Sequence, residues 1–280
     1  MQKTSQLIKF YKYHGLGNDF IILDLRDNTW LPDKNWLIKA SNRNTGIGFD
    51  QALFITKDLA KIDNIPTYEY KIANADGAWT NQCGNGARCI ADWIIKTDPA
   101  LSKIYLQTND RAMLASKTNK LYTINMSKIK PGIDATGAQQ ELCSITTPIG
   151  TFDCKCFYIG NPHLVLNLSS PLTFSQRETI GEWCQTQSSF FPQGINVNFA
   201  SLIADQQIKL NTYERGAKET LSCASGACCT AVAFQDWYNL TNQITVSMRL
   251  GDLTIEIQED SIRQTGPIKF VFCGFIDKAL

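Results

Sequence analysis

The strongest constraint on how this chain can fold is that it carries one pattern twice. Cys83-Gly84-Asn85-Gly86-Ala87-Arg88-Cys89 is matched by Cys223-Ala224-Ser225-Gly226-Ala227-Cys228-Cys229. The offset, 223 − 83 = 140, is half the 280-residue length. Three further matches keep the same order. Gly17-Asn18 through Leu25 parallels Gly160-Asn161 through Leu168 at offset 143. Gly46-Ile47-Gly48-Phe49 loosely parallels Gly194-Ile195-Asn196-Val197 at offset 148. Asn74-Ala75-Asp76-Gly77 lies nine residues before Cys83, and Tyr213-Glu214-Arg215-Gly216 ten before Cys223. Self-similarity at a long, fixed offset is the mark of a duplicated unit. The expectation is two similar α/β (α+β) lobes related by a pseudo-twofold axis, with a site in the cleft between them.

Local patterns support α/β lobes. Residues 19–25, 164–168, 208–213 and 253–258 are short, apolar or alternating, and bounded by Gly, Asn or Pro, as strands are. Each Cys-x-x-Gly motif opens a predicted helix, 87–96 in one half and 227–238 in the other. The second is apolar almost all round, as a helix at the centre of a lobe should be. The polar, Gly-Pro-bearing stretch 127–138 is the expected linker. The lobes are therefore expected at 1–126 and 127–268, with 269–280 as a segment that could complete the first.

Composition limits the function classes. A net charge of +1 provides no basic field for nucleic acid. The N-terminus has no apolar run of signal-peptide type, and no segment approaches the roughly 18 apolar residues of a membrane span. A cytoplasmic protein is the expectation, and its ten cysteines should stay reduced there. There is no Cys-x-x-Cys pair, and His14 and His163 are the two histidines, so no metal site is expected. Cys89, Cys228 and Cys229 fall inside the predicted helices and read as core. Cys143, Cys154, Cys156, Cys184 and Cys273 have no catalytic context.

Cys83 and Cys223 differ from these. A thiol acts as a base only when its thiolate is accessible, against an ordinary pKa of about 8.5. A helix N-terminus offers unpaired N–H groups and a favourable dipole to the thiolate, and the same N–H groups bind carboxylates. Two such cysteines facing one carbon would be a two-base system, in which a thiolate removes a proton and a thiol delivers one from the opposite side. That is the chemistry of a racemase or epimerase with no cofactor. A lone cysteine before glycine reads as structural; two in matching motifs with matching flanks reverse that reading.

Several motifs together carry a family resemblance: His14-Gly-Leu-Gly-Asn-Asp-Phe20, Asn74-Ala-Asp-Gly77 leading to Gln82 through Cys89, Gly160-Asn-Pro-His163, Asn196-Val-Asn-Phe199, and Glu214-Arg-Gly216 leading to Cys223 through Cys228. The chain resembles the diaminopimelate epimerases nearly from end to end. That resemblance implies interconversion of LL- and meso-diaminopimelate without pyridoxal phosphate or metal, in lysine and peptidoglycan precursor synthesis. It also implies lobes built as mixed sheets wrapped around a central buried helix, and a homodimer whose partner molecule is otherwise only the small substrate. By the same resemblance Cys83 and Cys223 are the acid–base pair. Gly84, Asn85, Ala224 and Ser225 would donate to the α-carboxylate, and Asn18, Asn74, Asn161, Asn196 and Arg215 would hold the distal amino-acid head. Gln51 falls at another ligand contact, and Glu214, also at the ligand, and His163 would tune the ionisation of the thiols.

Taken singly, these residues have blander readings. Asn beside Gly is commonly a turn residue, His163 alone reads as structural, and Arg215 with Glu214 could be a surface ion pair. The chain also departs from the family pattern. Ala224 replaces a glycine, which disfavours positive φ and would tighten the carboxylate pocket. Ala78-Trp79-Thr80-Asn81 replaces an acidic segment, so Trp79 should pack near the cleft or at an interface. A proline or hydroxyproline racemase is the nearest rival, opposed by the distal-head set. Isomerases of related architecture without the cysteine pair, and a metal- or redox-binding cysteine protein, are the others.

Overall fold

The computed structural model describes residues 6–132 and 142–280. Residues 133–138 of the expected linker lie outside the described residues. The chain divides into two compact units, Met1–Ile124 with Gly266–Leu280, and Asn125–Thr265. In the first run β1 (Leu7–Gly15), β2 (Asn18–Asp24), α1 (Lys34–Ser41), β3 (Gln51–Ile62), β4 (Ile65–Asn74), β5 (Trp79–Thr80), α2 (Gly84–Thr97), β6 (Lys103–Gln107) and β7 (Ala112–Thr118). Strand β8 (Leu121–Ser127) carries the chain across the boundary. The second holds β9 (Lys130–Pro131), β10 (Ser144–Thr147), β11 (Gly150–Tyr158), β12 (Pro162–Asn167), α3 (Phe174–Thr186), β13 (Asn196–Ala204), β14 (Gln207–Glu214) and β15 (Lys218–Thr220). It continues with α4 (Ala224–Tyr238), β16 (Gln243–Met248), β17 (Gly251–Ile257) and β18 (Ser261–Gly266). Strand β19 (Lys269–Asp277) then returns to the first unit, antiparallel to β1.

The two units share one pairing scheme. In the first, β1 and β2 are antiparallel, β2 and β3 parallel, β3 and β4 antiparallel, β4 and β6 parallel, β6 and β7 antiparallel. In the second, β11 to β14, β16 and β17 repeat those relations in order. Both sheets are mixed. Helix α2 packs on β1, β2, β3, β6 and β7, and α4 on β11 to β14, β16 and β17, so each sheet curls around one helix. Ala87, Cys89, Ile90 and Ala91 in α2, and Ala227, Cys228, Cys229 and Ala231 in α4, are fully buried. Residues 227–234 are buried nearly all round there, which explains their all-round apolar character, while Asp236 and Tyr238 in the last turn are exposed.

The opposite face of each sheet carries the amphipathic helix. Trp36, Leu37 and Ala40 of α1 cover Ile21, Leu23, Ala52 and Phe54; Ile180 and Cys184 of α3 cover Leu164, Leu166, Val197 and Phe199. Strands β2 and β12 are thus buried on both faces, and their unbroken apolar runs follow from that. Asp33 caps α1 by accepting from Trp36 N at 2.8 Å, and Thr173 with Gln176 forms a capping box on α3.

Sheet register corrects the alignment of the halves. Gln51 pairs with Phe20, and Asn196 with His163. Gln51 and Asn196 are therefore the equivalent positions, at offset 145 rather than the 148 expected around Gly46 and Gly194. Gln51 also pairs with Asn74, and Val197 with Tyr213, which aligns Asn74 with Glu214 at offset 140, the cysteine spacing. The helices begin three residues before the predicted 87 and 227, because each starts directly after its cysteine. Among the described residues no helix is long and apolar enough to cross a membrane.

Candidate active site

Parallel strands β2 and β3 begin, and antiparallel β4 ends, at the edge of the first sheet where α2 starts. Asn18, Gln51, Asn74 and Cys83 are the residues at those four ends. Cys83 is the N-cap of α2, in extended backbone, and its Sγ accepts the Gly86 N–H at 3.3 Å. Gly86 allows this: a β-carbon there would press on the Leu53 methyls at 3.1 and 3.2 Å, so glycine lets the helix start sit directly on β3. The thiol lies 3.9 Å from Asn18 Oδ1, which also accepts from Asn85 Nδ2 at 3.2 Å. Gln51 Nε2 donates to Asn74 Oδ1 at 2.8 Å. Gly84 and Asn85, the first two residues of α2, are buried. Cys83 is half-buried.

The second unit repeats the plan with different chemistry. Cys223 precedes α4 in extended backbone, but its side chain makes no capping bond and it is buried. The Ser225 hydroxyl lies 3.4 Å from its Sγ. Burial first, and then the Glu214 carboxylate, push the Cys223 thiol well above the ordinary range, against the smaller pull of Ser225 and the Gly226 N–H. The helix start does not make this cysteine a ready thiolate. Desolvation outweighs the helix dipole, and Cys223 rests as the protonated thiol. Glu214 also accepts from Thr220 Oγ1 at 2.6 Å.

His163 is fully buried, and burial lowers its pKa to about 3. Asn198 Nδ2 donates to the Leu164 carbonyl at 3.1 Å and lies 3.2 Å from His163 Nδ1. A carbonyl can only accept, so that amide is oriented and Nδ1 is the acceptor. The hydrogen is then on Nε2, 2.9 Å from Asn161 Oδ1 and 3.4 Å from Asn196 Nδ2. His163 is thus a neutral imidazole that holds the Asn161 amide. Asn196 Oδ1 accepts the Arg215 backbone N–H at 2.8 Å, while the exposed Arg215 guanidinium rests on the Gln193 carbonyl. Neither Gly84 nor Ala224 has a positive φ, so the alanine costs no backbone strain.

The first unit therefore brings together Cys83, Asn18 and Asn85, with Gln51 and Asn74 as a second pair. The second unit brings together Cys223, Ser225 and Glu214, and separately His163, Asn161, Asn196 and Arg215. Trp79 is half exposed, its ring 5.7 Å from that of Phe54. Sequence reasoning missed Asn198, the buried centre of the His163 cluster. Its signal was the Asn196-Val197-Asn198 alternation, which puts both amides on one face of β13. It also missed Asp50, which accepts from Asn18 Nδ2 at 3.0 Å. Cys89, Cys228 and Cys229 are core residues as expected, while Cys143 and Cys273 are exposed. Among the described residues no group of three or more His, Cys, Asp or Glu is gathered for a metal.

Solved structures with this fold include a hydroxyproline epimerase from Agrobacterium vitis with bound trans-4-hydroxy-L-proline, at TM-score 0.68 and 11% identity over 99% of this chain and 94% of that one. Another is a phenazine biosynthesis protein of the PhzF family from Bacillus anthracis, at TM-score 0.67 and 10% identity over 97% and 99%. At such identities the likeness is one of fold. Sequence goes further. The chain is 33% identical over 279 residues to the diaminopimelate epimerase of Xanthomonas campestris pv. campestris, covering 95% of each. It is 35% identical over 287 residues to that of Legionella pneumophila strain Paris, covering 95% of this chain and 98% of the relative. The diaminopimelate epimerase family model matches residues 10–109 and 155–271, segments that hold both helix-start cysteines and the polar strand ends around them. By sequence over 95% of its length, and with one such cysteine in each half, the chain belongs to the diaminopimelate epimerase family.

Proposed function

We propose that this protein interconverts LL- and meso-diaminopimelate by two-base proton transfer at one α-carbon, with Cys83 and Cys223 as the two bases. The carrying observation is that each unit sets a cysteine at the start of its central helix, Cys83 beside the Asn18 and Asn85 amides and Cys223 beside Ser225 and Glu214. In one direction the Cys83 thiolate, which accepts the Gly86 N–H, takes the α-proton. The electron pair left on carbon is held by conjugation into the α-carboxylate, which the N–H groups at the helix starts stabilise. The Cys223 thiol then gives its proton to the opposite face, and Glu214, whose carboxylate neighbours that thiol, would relieve it of a proton in the reverse direction. The step exchanges one C–H bond for another and needs no oxidant or reductant. Gly84, Asn85, Ala224 and Ser225 take the α-carboxylate. Asn18, Gln51, Asn74, Asn161, Asn196, Glu214 and Arg215 take the rest of the molecule, with Arg215 as the charged partner for the distal carboxylate.

The test is a coupled assay with LL-diaminopimelate, with proline and lysine as controls, run in heavy water. Solvent deuterium should enter at one α-carbon. Cys83→Ala and Cys223→Ala should each lose at least about 10³-fold in kcat. Near-normal turnover in either variant would sink the two-thiol reading, and turnover of proline alone would sink the substrate assignment. A cytoplasmic homodimer is part of the proposal. Strand β19 leaves Phe270, Val271, Phe272 and Phe275 exposed beside β1, an apolar surface that a second copy of the strand would cover.

A further inference from the structure

We propose that Arg88 and Asp50 are positioning residues that together set which ends of the Asn85 and Asn18 amides face Cys83. The inference rests on the epimerase reading above and deepens it. Arg88, in the second turn of α2, is fully buried, and a guanidinium can only donate. Its Nη2 donates to Asn85 Oδ1 at 2.5 Å. Asn85 must then turn Nδ2 outward, and it donates to Asn18 Oδ1 at 3.2 Å. Asn18 in turn donates through Nδ2 to Asp50 Oδ2 at 3.0 Å, and a carboxylate can only accept.

Read from either end, the chain of bonds dictates the same orientation for both amides. The far end is held firmly: Asp50 Oδ1 accepts from Arg43 Nη2 at 2.9 Å, and Arg43 grips Asp19 by two bonds of 2.9 and 2.8 Å. Asp19 also accepts from the buried Lys12 at 2.5 Å. The result reaches the sulfur. Asn18 presents an oxygen at 3.9 Å to Cys83 Sγ, opposite the Gly86 N–H at 3.3 Å. The Asn18 oxygen suits the thiol and the Gly86 N–H suits the thiolate, so both forms of a group that must cycle between them meet a matching partner. A flipped Asn18 would replace that acceptor with a second donor, which favours the thiolate.

A cycle of Asp50→Asn, Arg88→Gln and the double variant tests this. Each single variant leaves one end to orient the amides, so kcat should fall only about three- to tenfold. The double variant removes both of these holds, and its loss should exceed the product of the singles by about tenfold, although the two residues do not touch. The pH midpoint of Cys83 alkylation, resolved by peptide mass spectrometry, should hold in the singles and move down in the double. A loss equal to the product, with no shift of that midpoint, would overturn the proposal. The alkylation arm needs no turnover: a wild-type protein inert towards diaminopimelate would refute the epimerase reading, while the cycle would still judge the amide polarity. Should Arg88→Gln not fold, Asn18→Asp and Asp50→Asn replace it. Asn18→Asp sets two carboxylates about 3 Å apart. Adding Asp50→Asn returns a donor and should recover at least about tenfold of the lost kcat; no recovery overturns the proposal.

Discussion

Gly86 and Gly226 hold the same place in the repeat, yet alanine should cost very different amounts at the two. A β-carbon on Gly226 would fall far inside contact distance of Asn198 Oδ1 and 3.3 Å from Thr212 Oγ1. Asn198 cannot step aside cheaply. It is fully buried, bonded to Leu164 O at 3.1 Å and accepting from Thr212 Oγ1 at 3.1 Å, with His163 Nδ1 at 3.2 Å. Overpacking costs about 1–3 kcal/mol, and a buried polar group left unpaired about 1–3 kcal/mol. Alanine returns about 1 kcal/mol of helix propensity, for a net loss near 3 kcal/mol. At Gly86 the obstacles are Leu53 methyls at 3.1 and 3.2 Å and Phe20 Cε1 at 3.4 Å. A leucine rotates by a few tenths of an ångström, so the propensity gain brings the net within about 1 kcal/mol of zero. With a urea m-value near 2 kcal/mol/M, Gly226→Ala should move the midpoint down by about 1.5 M and Gly86→Ala by less than about 0.5 M. Because two units can unfold separately, amide hydrogen exchange in α2 and α4 should be read alongside to place each loss. Equal shifts, or a larger one for Gly86→Ala, would refute the reasoning.

Burial holds His163 near 3 against the ordinary 6.5, so between these values the unfolded chain binds a proton that the folded unit does not. Its contribution is whole above about 6.5 and is lost as pH falls towards 3. His163→Gln should therefore flatten the fall of the urea midpoint from about pH 7 to 4, and an unchanged slope would contradict the neutral imidazole. Iodoacetamide should label exposed Cys143 and Cys273 first, and label Cys223 only well above pH 9, since burial and Glu214 raise that thiol; early labelling of Cys223 near neutrality would count against the assignment. Light scattering should show that Phe275→Lys halves the mass of the assembly, and an unchanged mass would remove β19 from the proposed dimer surface.

Much of this protein was determined by short-range pattern. The two helices that begin within the Cys-x-x-Gly motifs, and the apolar strands beside them, come from residues within about ten positions of one another, and the repeat from matching such short patterns between the halves. The Cys-x-x-Gly spacing itself places a sulfur on the first turn of a helix, which is local geometry. Tertiary structure decided the rest. It made Cys83 a capped, half-buried sulfur and Cys223 a buried thiol against Glu214, although their motifs match. It moved the equivalence of the halves to Gln51 and Asn196, because strand register depends on which residues meet across a sheet. It also gave Arg88 and Asp50, 38 positions apart in the sequence, one shared effect on two amides. Ionisation and amide orientation depend on desolvation and on donors brought from distant strands, and neither is encoded in the few residues that surround a group along the chain.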